Sequence, residues 1–65
     1  MHVQLNGEVL KIEAGRTVKQ LLDSADPAYQ YGLVELNGAF LPKGRYGQEL
    51  VEGDRLEVIL PAFGG

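Results

Sequence analysis

His2-Val3-Gln4-Leu5-Asn6-Gly7-Glu8-Val9-Leu10-Lys11-Ile12-Glu13, then Thr17-Val18-Lys19-Gln20-Leu21-Leu22, is the stretch that decides the fold. Val3 and Leu5 fall on one face and His2 and Gln4 on the other, the period-two pattern of a strand. Asn6-Gly7 is a two-residue hairpin signal, because both residues tolerate positive φ. Val9 to Glu13 alternates again, with Leu10 and Ile12 facing inward and Val9, Lys11 and Glu13 outward. The chain thus opens with an antiparallel hairpin. Gly15 breaks the second strand, and Thr17 followed by Gln20 fits a capping box. Val18, Leu21 and Leu22 recur at helical spacing, so a helix is predicted over 18–25, ended by Pro27. Two turns of helix do not hold alone in water and must lie on the sheet.

Working outward, Leu33 to Leu36 reads as a strand with Val34 and Leu36 inward. Asn37-Gly38 is a second hairpin signal leading into Ala39-Phe40-Leu41. Residues 42–49 carry Pro42, Gly44 and Gly47 and read as a crossing loop, from which Leu50 drops into the core. A turn at Glu52-Gly53-Asp54 precedes a last strand over 55–60. There Leu56, Val58 and Leu60 face inward, and Arg55, Glu57 and Ile59 outward. Strand, strand, helix, strand, short strand, strand defines an α+β unit with one main helix on one face of a mixed sheet of four to five strands. That is the β-grasp, or ubiquitin-like, architecture.

Composition excludes most other functions. The chain has 65 residues, no Cys and one His. A chain this short buries only about 60% of its unfolded surface and is one marginally stable domain. It has too little chain for a deep catalytic pocket. Neither a Ser–His–Asp set, a Cys–His pair nor a zinc site can be assembled. Lys43 and Arg45 beside Gly44 and Gly47 match no phosphate loop. Six basic residues against nine acidic ones give a net charge of −3, with no basic footprint for nucleic acid or an anionic membrane. No apolar run is long enough to cross a bilayer, and the N-terminal residues lack the features of a signal peptide. A cytoplasmic location is expected. The acidic residues read as a solvated surface or as the complement of a basic partner.

The end of the sequence is less ordinary. Glycine is about 7% of residues in average proteins, so a terminal Gly64-Gly65 arises by chance roughly 0.5% of the time. Pro61 cannot donate to a sheet ladder. Residues 61–65 are therefore expected to project as a flexible tail, up to about 17 Å long when extended. Two glycines can thread a narrow channel and leave the terminal carboxylate sterically bare. Such a tail suits delivery of a carboxyl group into another protein's active site. A carboxylate must be activated before it accepts a nucleophile, and acyl-adenylation by a partner's ATP and Mg2+ is the usual route. Without cysteine, any sulfur carried here rides on that carboxylate. The exposed sheet face, with Val9, Ile59 and Arg55, is the expected partner surface.

Taken together, these pieces resemble the ThiS family of sulfur carriers, within the group that includes molybdopterin-synthase small subunits and ubiquitin. The matching segments are Val3 to Glu8, Thr17-Val18 with Leu21-Leu22, Val34 to Gly38, Pro42, Glu52 to Val58, and Gly64-Gly65. The resemblance implies a single carrier domain over 1–65 that is not an enzyme and binds no cofactor of its own. A ThiF/MoeB-like adenylating enzyme would activate Gly65, using ATP and Mg2+. A cysteine desulfurase or rhodanese-like donor would supply sulfur. The thiocarboxylate would then serve a thiazole synthase (ThiG-like) acceptor of thiamine biosynthesis. Some relatives carry an aliphatic residue where this chain has Phe63, which either fits the partner's channel or packs back on the sheet. Two other readings stand beside thiamine: a carrier for another pathway (molybdopterin, cysteine, homocysteine or another sulfur metabolite), or a ubiquitin-like protein modifier. A plain binding module with an incidental tail is the third.

Overall fold

The computed structural model describes residues 1–62. Five strands form one sheet: β1 (His2–Leu5), β2 (Glu8–Lys11), β3 (Leu33–Leu36), β4 (Ala39–Leu41) and β5 (Arg55–Ile59). Their order is β2-β1-β5-β3-β4. The two hairpins pair antiparallel, β5 runs antiparallel to β3, and β5 lies parallel to β1. One helix, α1 (Val18–Ala25), covers one face. This is the β-grasp arrangement expected from the sequence.

Helix α1 starts where its capping box says it should. Thr17 Oγ1 accepts from Gln20 N at 3.1 Å, and Gln20 Oε1 accepts from Thr17 N at 3.0 Å. The first-turn N–H groups of an isolated helix would go unpaired. Here Val18 N donates to Gln48 O and Lys19 N to Tyr46 O, so the crossing loop caps the helix. Leu50 follows that loop into the core. A 3₁₀ helix, Pro27–Tyr31, adds a segment that the sequence reading left unassigned, with Asp26 as its N-cap.

Val3, Leu5, Val34, Leu56 and Val58 of the sheet meet Val18, Leu21 and Leu22 of α1, joined by Leu41 and Leu50. Leu10, Ile12 and Leu36 are only partly buried, because a two-turn helix is too short to cover the sheet margins. Leu60 is a correction. The alternation placed it inward on the last strand, but β5 ends at Ile59 and Leu60 is 41% exposed.

Both Asn-Gly turns take the expected positive φ, at +50° and +53° for Asn6 and Asn37. They do more than turn the chain. Asn6 Oδ1 accepts from Val58 N at 2.8 Å, and Asn37 Oδ1 accepts from Arg55 N at 2.9 Å. The two asparagines therefore pin β5 from opposite sides. Asn37 Nδ2 in turn donates to Asp54 Oδ1 at 3.0 Å, and Val51 N donates to Asp54 Oδ2 at 2.9 Å. Asp54 is the one buried charged or polar residue among those described. Replacing it with Ala removes the carboxylate acceptor of two part-buried hydrogen bonds, so Asp54→Ala is expected to cost about 2 kcal/mol, read as a lower urea midpoint. An unchanged midpoint would show that the pair of bonds contributes nothing net.

Candidate functional site

The described surface carries no catalytic constellation. No group of three His, Cys, Asp or Glu residues among the described residues could hold a metal. His2 is exposed, with Nδ1 4.0 Å from Glu52 Oε2, and meets no nucleophile. Two open clefts flank Tyr29 on the helix side. One is lined by Leu22, Pro27 and Tyr46 with Lys19 and Lys43 at its rim. Burial there pushes the Tyr46 phenol above its ordinary range. The other lies between α1 and β2, over Leu5, Leu10, Ile12 and Leu21. Neither brings an acid and a base together on a nucleophile. No described helix is long and apolar enough to cross a membrane.

The sheet face away from α1 is different. Ladder pairing puts Val9, Gln4 and Arg55 in one row. Phe40, Glu35 and Glu57 form another, and Leu33 and Ile59 a third. Val9 is 61% exposed and Ile59 49%, as expected for the outward face. They are not neighbours, however. Ile59 lies four residues along β5 from Arg55, about 13 Å at ~3.3 Å per residue, and Val9 is a further two strands away. Val9 and Arg55 belong together at one end, whereas Ile59 belongs with Leu33 at the other, next to the Phe40 row.

Leu33 and Phe40, 59% and 63% exposed, are the residues sequence reasoning missed. Each is the outward apolar residue of a short strand, and only the long-range register brings Leu33 beside Ile59, with Phe40 in the adjoining row. In the Phe40 row, Glu35 and Glu57 stand directly opposite each other. Like charges in a cross-strand pair destabilise a sheet. A partner cation would relieve that repulsion.

β5 sits at the centre of the sheet and leads straight to the end of the chain. Pro61 and Ala62 follow it as exposed residues outside any strand. The expectations for Phe63, Gly64 and Gly65 lie outside the described residues.

A five-stranded sheet clasping one helix defines a small β-grasp domain of the ubiquitin-like class. The chain belongs to the ThiS family, whose match runs over residues 3–65. It is also similar to the crystal structure of a thiamine biosynthesis protein (ThiS) from Geobacter metallireducens. That likeness has a TM-score of 0.77 at 28% identity and covers 100% of each chain. No curated protein matches the chain.

Proposed function

We propose that this protein is a sulfur carrier of thiamine biosynthesis, acting in the cytoplasm as a co-substrate of partner enzymes rather than as a catalyst. The observation that carries the reading is the family match through to the terminal Gly64-Gly65. In this scheme a ThiF/MoeB-like enzyme uses ATP and Mg2+ to adenylate the Gly65 carboxylate, releasing pyrophosphate. The terminal sulfur of a persulfide, delivered by a cysteine desulfurase or rhodanese-like donor, attacks the acyl carbon and displaces AMP. A thiol then cleaves the S–S bond and leaves the thiocarboxylate, which a ThiG-like thiazole synthase consumes. The test is intact mass after incubation with the activating enzyme, ATP and a sulfur donor. One oxygen replaced by sulfur at the C-terminus is expected; an unchanged mass overturns the proposal.

The outer sheet face is the proposed docking surface. Leu33, Phe40 and Ile59 would supply its apolar centre, Val9 and Arg55 its far end, and Glu35 with Glu57 a seat for a partner's cation. Well-packed interface anchors cost 2 kcal/mol or more when truncated. Phe40→Ala is therefore expected to raise the KM of the activating enzyme for the carrier by about 30-fold. Thermal stability should stay near wild type, since Phe40 contributes little to the core. A KM within twofold of wild type would remove this face from the docking surface.

A further inference from the structure

Gly32 joins the 3₁₀ helix to β3 with φ −90° and ψ 165°, ordinary extended backbone that any residue adopts. Conformation therefore does not explain a glycine here; space does. A Cβ on Gly32 would stand 2.5 Å from Val58 Cγ1, 3.2 Å from Ile59 O and 3.3 Å from Leu60 Cδ2. All three obstructing atoms belong to consecutive residues at the end of β5. The bare α-carbon of Gly32 is thus the seat into which the chain settles as it leaves the sheet.

That seat accounts for Leu60, which departs from the strand alternation and lies against Gly32 rather than in the core. Pro61 comes next and restricts Leu60 to extended backbone. Position and direction are therefore both fixed just before Pro61 and Ala62. Any error there is carried into Pro61 and Ala62, the start of the tail. We infer that Gly32 is a positioning residue: the gap at its α-carbon seats Val58 and Leu60 and so aims the C-terminal segment. This rests on the reading of Gly65 as the reacting group. Gly32 touches no substrate and acts only through the exit of β5.

The experiment compares wild type, Gly32→Ala, Val58→Ala and the double variant with the activating enzyme, at saturating ATP. Misplacement of a reacting group by about 1 Å can cost 100-fold in rate. For Gly32→Ala, kcat for pyrophosphate release should fall about tenfold or more, with KM for the carrier within about twofold. Val58→Ala removes the nearest of the three obstructions, so the double variant should recover most of the rate lost in Gly32→Ala. Leu60→Ala empties the seat from the other side and, being exposed, keeps the fold; it should show the same split between kcat and KM. The Ala62 N–H dipolar coupling, measured by NMR without any enzyme, should change in both Gly32→Ala and Leu60→Ala. Unchanged kcat in those two variants, or a loss that tracks melting temperature and is not rescued by Val58→Ala, overturns the inference. If wild type itself is not adenylated, the carrier reading fails instead, and the Ala62 coupling alone decides: an unaltered coupling refutes the seat.

Discussion

A chain lacking only Gly65 is expected to lose at least about 100-fold in the rate of adenylation while still docking on the activating enzyme. The shortened chain keeps a terminal carboxylate and keeps the whole sheet. What it loses is about 3.4 Å of reach, at a reaction where a shortfall of ~1 Å can cost 100-fold. The docking face is untouched, so the variant should compete with wild type for the enzyme at nearly the wild-type constant. Pyrophosphate release and intact mass measure the first effect, and inhibition of wild-type turnover the second. Wild-type rates from the shortened chain would show that the position of the terminal carboxylate is irrelevant to the reaction.

The second large effect is on the fold. Leu56 is 1% exposed and lies between Leu5 on β1 and Leu36 on β3. Truncating a buried leucine to alanine costs about 2–5 kcal/mol. At roughly 0.05–0.15 kcal/mol per residue, a 65-residue domain holds only about 3–10 kcal/mol in total. Leu56→Ala should therefore remove about half the stability or more. The expected record is a urea midpoint that drops steeply at unchanged slope. Leu36→Ala, at the less covered margin, should cost distinctly less. Equal costs at the two sites would contradict the placement of the core under α1.

Local chemistry made much of this fold legible. α1, β3 and β4 match the predicted spans because each is bounded by a signal that acts within a few residues: the Thr17–Gln20 capping box for α1, and Asn37-Gly38 for the two strands it joins. Where the outcome depended on contacts far along the chain, the reading stopped short. Alternation carried β5 through Leu60, since nothing local reveals that Gly32 offers it a seat outside the core. The 3₁₀ helix at Pro27–Tyr31 had a readable start, Asp26 before Pro27, but no apolar periodicity to announce it. Val9, Arg55 and Ile59 were recognised as outward residues, yet their separation depends on strand order. Leu33 comes beside Ile59, and Phe40 into the adjoining row, only once β3 is placed between β4 and β5. The reading of the terminal Gly64-Gly65 comes from sequence alone and lies outside the described residues.

The placement of β5 also bears on how the molecule is made. β1–β2 and β3–β4 are local hairpins, of a kind that forms within about 1–10 μs. They cannot join each other, because the strand that belongs between them comes from residues 55–59, later in the chain than either. Pairing Gln4 with Arg55 closes a loop spanning most of the sequence, and such non-local contacts are the slow step in folding. Until β5 inserts, the two halves expose unpaired strand edges, the condition in which chains aggregate. Once it inserts, the two asparagine clamps close on the same strand that leads to the C-terminus. Assembly of the sheet and placement of Pro61 and Ala62 thus become one event during biosynthesis, and an incompletely folded chain would hold neither residue in place.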